Sequence, residues 1–171
     1  MPLVKNGKIA TDIYTHVADG AEIPAAGAIL VPAAHFLEDP EALLRRPGKV
    51  GVVWPNNRDI DELVPYLDRL AAVAVVFPSF RDGRAYSQAR LLRERYRFQG
   101  ELRATGQVLR DQFVFMLRAG FDALDVKKEK DADAFAETVK RYTVFYQPTG
   151  DGRTTALSRR TQLRHSESAS P

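Results

Sequence analysis

The feature that most constrains this chain is a set of short runs in which apolar residues follow one another without alternating: AILVP (28–32), KVGVVW (49–54) and AVAVVF (72–77), joined by ELRAT (101–105) and FDALDV (121–126). A strand with one wet face alternates, whereas a strand covered on both faces reads as a continuous apolar run, as in a parallel sheet. Helical patterns lie between the runs. Asp59 followed by Glu62 resembles a capping box, with Ile60, Leu63, Val64 and Leu67 at helical spacing and Pro65 bending or delaying the helix. Ala85, Ala89, Leu92 and Tyr96 form a second stripe, and Leu109, Phe113, Met116 and Gly120 a third. Ala132, Phe135, Val139 and Tyr142 form the last, with Asp131 as its expected N-cap. Strand and helix recur every 20 to 26 residues or so, which predicts an α/β fold with a mainly parallel sheet of about four or five βα units. Both an open three-layer sheet and a half-barrel satisfy this rhythm, and the units are too few to close an eight-stranded barrel.

Upstream, Asn6-Gly7 sits between β-prone flanks and predicts a hairpin, because a type I′ turn needs φ > 0 at both central residues. Residues 11–17 (TDIYTHV) read as a further strand, and residues 1–26 as a small β arm on a single domain spanning 1–147. From 148 to 171 the chain turns to Gly, Thr, Ser and Arg, and a basic tail without regular structure is expected.

Composition removes several functions. The 171 residues include no cysteine, so disulfides, thiolate metal sites, cysteine nucleophiles and cysteine-ligated iron–sulfur clusters are excluded. The three histidines, His16, His35 and His165, lack metal-ligand spacing and are assigned to a strand, a loop and the tail, so no metal is expected. No window approaches the roughly 20 apolar residues of a membrane span, and a cytoplasmic protein is expected. The formal charge is +3, but Arg153, Arg159, Arg160 and Arg164 against Asp151 and Glu167 place +2 of it after residue 147. The nearly neutral body carries no nucleic-acid stripe, and Lys127–Lys130 reads as a solvated loop.

The arginines of FPSFRDGRAYSQARLLRER (77–95) divide by position. Arg90, Arg93 and Arg97 fall away from the apolar stripe and read as solvated helix face. Arg81 and Arg84 instead lie in the loop after strand 72–77, where Gly83 permits a sharp turn and free N–H groups precede a helix. With the Ser79, Tyr86 and Ser87 hydroxyls nearby they could supply donors to an oxyanion such as phosphate, sulfate or sulfite. The turn Thr105-Gly106-Gln107 and Arg110 come from the next unit and end on the same sheet edge. Arg103 lies within a strand, so it either points at an anion or pairs with a carboxylate such as Asp82 or Asp111. Ser79, Arg81, Arg84, Ser87, Arg103 and Arg110 are thus the anion-binding candidates; no catalytic residue or cofactor fingerprint is visible. Trp54 and Phe113–Leu117 read as core, the latter alternatively as a subunit interface.

The ordered blocks DGRAYSQARLLRER, GELRATG, VLRDQ and GFDA resemble the bacterial domain-of-unknown-function family 934, described as a probable oxidoreductase of sulfite reduction, most clearly over residues 77–126. The resemblance implies a place in assimilatory sulfate and sulfite reduction, with sulfite reductase or a neighbouring sulfur-assimilation enzyme as partner. Three readings follow. The chain is an accessory protein that binds an oxyanion or assists sulfite reductase, an interaction module docking on a redox enzyme, or a flavin- or NAD(P)-dependent reductase with a site the sequence does not display.

Overall fold

A computed structural model of the protein describes residues 2–5, 8–141, 144–149 and 153–161. Its centre is an eight-stranded sheet built from β1 (Leu3–Lys5), β2 (Lys8–Ala10), β3 (Tyr14–His16), β4 (Ala28–Pro32), β5 (Val50–Trp54), β6 (Ala72–Phe77), β7 (Glu101–Gly106) and β8 (Ala123–Asp125). The order across the sheet is β2-β1-β8-β7-β6-β5-β4-β3. Strands β3 to β8 are all parallel, while β1 runs antiparallel to both β8 and β2. The apolar runs are the inner strands, as their patterning requires.

From β3 to β8 each strand lies beside its sequence neighbour, so the crossovers all step in one direction. Right-handed crossovers that never reverse place every helix on the same face. The half-barrel therefore prevails over the three-layer sheet. The helices are α1 (Ala33–Glu38), α2 (Pro40–Arg45), α3 (Arg84–Arg90), α4 (Phe113–Ala119) and α5 (Asp131–Arg141). Ile29, Val31, Val52, Val73, Val75 and Phe77 meet Phe36, Ala89, Leu92, Phe113 and Met116 in one large convex-side core. Trp54 is fully buried, as the core assignment requires.

The sheet is strongly curled. A flat sheet would hold its two outermost strands about 34 Å apart at ordinary strand spacing. Yet β2 ends at Ala10 and β3 begins at Tyr14, and that link spans at most about 14 Å. Small residues line the concave side: Ala72 and Ala74 pack with Tyr14 and Leu30, and a Cβ on Gly51 would lie 2.7 Å from Leu30 Cδ1 and 2.8 Å from Ala72 Cβ.

Several local outcomes differ from the sequence reading. Within residues 1–26, β1 pairs antiparallel with β2 and lies beside β8, while β3 forms the far edge beside β4. The Asn6-Gly7 turn and His165 lie outside the described residues. His35 stands on α1, not in a loop. Residues Ile60–Tyr66 form a 3-10 helix, with Asp59 accepting from the Asp61 N–H, while Glu62 binds Arg58 in place of closing a capping box. Pro65 lacks the N–H that an α-helical ladder needs. Asp131 is the first residue of α5 and accepts from the Lys128 N–H. Within the expected tail, Thr155 bridges to Phe145 and residues 156–161 are helical.

Candidate functional site

The six anion candidates separate into three places. Ser79, Arg81 and Arg84 follow the carboxyl end of β6, with Ser87 one turn into α3. Ser79 Oγ accepts from the Arg81 N–H at 3.3 Å, shaping the loop. Arg84 does not reach outward: its Nη2 and Nε donate to Asp82 at 2.6 and 3.0 Å. That pairing holds the Asp82 carboxyl well below the usual carboxylate range. Arg110 sits on the 3-10 turn Arg110–Gln112 after β7 and is bound to Asp131. Burial alone would raise the Asp131 carboxyl, but Arg110 and the Lys128 N–H outweigh it and lower it. Arg81 stacks over Phe80 at 5.5 Å and has no carboxylate partner among the described residues.

Arg103 lies elsewhere. Its side chain is fully buried on the concave face, where Nη1 and Nη2 donate to the two Asp12 oxygens at 2.6 and 3.0 Å. Nε donates to Glu101 at 2.8 Å, Nη1 stands 3.6 Å from Asp125, and the guanidinium lies 5.4 Å from the Tyr14 ring. Lys5 adds a bond to Glu101 at 2.7 Å, and His16 Nε2 shares Asp12 at 2.8 Å. The pairing expected of a strand arginine is present, but neither Asp82 nor Asp111 provides it. The partner is 91 residues upstream, brought across the concave side by the curl of the sheet.

Burial and charge compete in this cluster. Desolvation would raise Asp12, but the Arg103 and His16 bonds outweigh it and hold the carboxyl well below its ordinary value. The Asp12 bond, with the Asp125 and Glu101 charges, raises Arg103 against a desolvation that would lower it. Asp125 goes the other way, raised because burial exceeds the pull of the more distant Arg103. Burial, with Glu101 adding, pushes the Tyr14 hydroxyl up to about 12. Arg103 has its donors directed at these carboxylates and is a staple, with no guanidinium edge left to grip an anion.

A second arrangement flanks α4. A cavity of about 620 Å³ lies toward α5, lined by Val114, Phe115, Ala134 and Phe145. Another, of about 510 Å³, faces α3 and is lined by Tyr86, Asp111, Gln112, Phe115 and Arg118. Gln112 Nε2 donates to the Phe80 carbonyl at 3.3 Å, tying this cleft to the β6 loop. The two loop systems therefore adjoin at the carboxyl edge, as parallel neighbours should. Phe113, Val114 and Met116 face the core, and Phe115 is exposed.

The sequence reading does not single out Asp12 or Tyr14 and places His16 only in a strand; Asp12 precedes β3 and accepts from the Tyr14 N–H at 3.0 Å. Tyr86 and Asp111 are singled out in other roles, but their convergence with Gln112 gives no signal, since it depends on how α3 packs against α4. Among the described residues no group of His, Asp or Glu is placed to share a metal ion, and no helix is long and apolar enough to cross a membrane.

The model of a family described as "Bacterial protein of unknown function (DUF934)" matches residues 51–157. The chain belongs to that family. No curated protein matches it.

Proposed function

We propose that this member of the DUF934 family is a cytoplasmic accessory protein of assimilatory sulfite reduction that acts by docking on sulfite reductase. The pathway is what the resemblance of the motif blocks to that family implies. The mode of action rests on the carboxyl-edge surface, where Phe80 is 52% and Phe115 64% exposed and Arg81 stacks on Phe80. Aromatic and arginine side chains dominate the energetics of protein interfaces. Three of the four candidate arginines are meanwhile committed to carboxylates of the chain itself, which favours docking over a multi-arginine oxyanion grip.

The test is a binding titration of purified sulfite reductase with the wild-type chain and with Phe80→Ser and Phe115→Ser. Each variant should weaken the complex about tenfold or more. Absence of a wild-type complex at micromolar concentrations, or equal binding by both variants, overturns the reading. Arg81, unpaired and next to Ser79, supports a narrower second reading in which a single oxyanion rests on this loop. Calorimetry with sulfite, sulfate and adenylyl sulfate tests it, with Arg81→Ala as the control that must abolish any heat.

A further inference from the structure

Residues 144–149 lie against α4 as a strap that reaches both of its cavities. Phe145 lines the cavity of about 620 Å³ toward α5, while Gln147 and Thr149 line the one of about 510 Å³ toward α3. Asp111, Phe115 and Arg118, spaced i, i+4 and i+7, line both cavities and form the ridge that they share. The strap is held at Arg118, which donates to the Gln147 carbonyl and, at 3.2 Å, to Thr149 Oγ1. The same guanidinium lies 4.1 Å from the centre of the Phe145 ring, and that of Arg153 lies 5.5 Å from it. Behind the ring, the Phe145 carbonyl accepts from the Ala156 N–H at 2.8 Å.

The strap is a light occupant of a large seat. Phe145, 8% exposed, is the one buried side chain of residues 144–149, and its neighbour Tyr146 is 87% exposed. Open volume remains beside it, walled by Val114, Ala134 and Thr138 in one cavity and by Tyr86 in the other. An occupant that covers more of this apolar wall gains in proportion to the area it removes from water, so a better-fitting segment outcompetes the strap. What Arg118 grips here is an aromatic face and a main-chain carbonyl. Any extended segment with an aromatic side chain presents the same two features.

We propose that the strap is a self-supplied cover on a peptide groove, and that the docking partner displaces it with an extended segment whose aromatic side chain takes the place of Phe145 on Arg118. The identity of the partner rests on the docking reading, with which the groove shares Phe115; the groove itself rests on the strap.

The experiment is an NMR titration of the full chain with the acetylated, amidated peptide VFYQPT, which copies residues 144–149, and with the same peptide carrying alanine for its phenylalanine. Phe145→Ala vacates the place of the ring. It should bind VFYQPT with saturating shifts at the amides of α4 and residues 134–138, about tenfold or more tighter than the wild type, whose own strap must leave first. Phe145→Leu, which keeps an apolar anchor without the aromatic face, should show the same order with a smaller gain. The alanine peptide should not saturate, and adding Arg118→Ala to Phe145→Ala should abolish binding of VFYQPT. Phe145→Ala should also bind purified sulfite reductase about threefold or more tighter than the wild type, a gain that damage to the fold does not produce. Phe80→Ser, outside the groove, should weaken the reductase complex and leave peptide binding to Phe145→Ala unchanged. Equal peptide affinity in the wild type and both Phe145 variants, equal binding of the alanine peptide, or binding that survives loss of Arg118 overturns the groove. Unchanged reductase affinity in Phe145→Ala overturns its use by that partner, whereas absence of any reductase complex, with the peptide results in place, overturns the docking reading and leaves the groove standing.

Discussion

Replacing Arg103 with methionine removes the charge while keeping a long apolar stem, so most of the effect falls on electrostatics. The side chain is 0% exposed and faces Asp12, Glu101 and Asp125, whose own exposures are 25%, 10% and 6%. Without the guanidinium, Lys5 on Glu101 and His16 on Asp12 are the ionisable partners left to three carboxylates among the described residues. Removing one partner of a buried pair costs about 3–5 kcal/mol, because the other charge stays buried without compensation. A domain of this size has about 5–15 kcal/mol in total, so Arg103→Met should lose about a fifth or more of its stability at pH 7. Asp12→Asn combined with Arg103→Met should cost less than the sum of the single changes, since each single variant already breaks the same bonds.

The dependence on pH sharpens the test. Asp12 has a folded-state value below its unfolded one, so its contribution is fully present above about pH 4 and is lost as pH falls toward the folded value. Asp125 is raised, so it favours the folded state at acid pH and loses that contribution as pH rises from about 4 through its folded value. Arg103→Met strands these carboxylates as anions at pH 7, and protonation relieves them. The deficit against wild type should therefore shrink between pH 7 and pH 4. Urea titrations followed by the fluorescence of Trp54, the one tryptophan, measure both. A loss below 1 kcal/mol at pH 7, or a deficit that stays constant to pH 4, would refute the argument.

Two further outcomes follow from backbone and clamp geometry. Gly106 ends β7 with φ +90°, and a Cβ there would stand 2.5 Å from the Phe77 carbonyl oxygen; Gly106→Ala should lower stability by about 2–3 kcal/mol in the same urea assay. Arg93 donates to the Gly120 carbonyl at 3.0 Å, the Gly100 carbonyl at 2.9 Å and Asp122 at 2.8 Å. Arg93→Ala should cost about 2–3 kcal/mol, while Arg90→Ala, at an exposed pair with Glu94, should stay within about 0.5 kcal/mol of wild type by thermal melting.

Arg93 also shows where the sequence reading lost its way. Stepping the helix by 100° per residue put Arg93 on the wet face with Arg90, but Leu91–Arg95 is a π turn that shifts the register of everything after Arg90. The extra residue aims Arg93 back at the loops it clamps. The inner strands were legible because parallel strands covered on both faces must be apolar throughout, and β6 occupies the whole AVAVVF run. The place of β1 was not, since nothing local to Leu3–Lys5 records that Leu3 pairs with Asp125. Sequence proximity points Arg103 toward Asp82 and Asp111 in neighbouring loops, whereas curvature of the sheet brings Asp12 instead. Asp12, just before β3, and His16, at its end, reach Arg103 only because the sheet bends back on itself.

That bend sets where chemistry has room to occur. A closed eight-stranded barrel fills its interior with layers of branched side chains. Here the concave face offers Gly51, Ala72 and Ala74, which permit a tight curl but leave little apolar volume to fill it. The long Arg103 side chain and the Tyr14 ring occupy the space, and a charge in such a place is tolerable only when several carboxylates surround it. Because those carboxylates are already bound to Arg103 and Lys5, the interior is committed to holding the curl. Polar groups without a partner among the described residues do occur at the carboxyl edge, among them Arg81 beside Phe80 and Asp111 and Tyr86 across the α3–α4 cleft. Recognition in this fold is therefore expected from the loops and helices that leave the strands, with the strand interiors serving to hold that edge in shape.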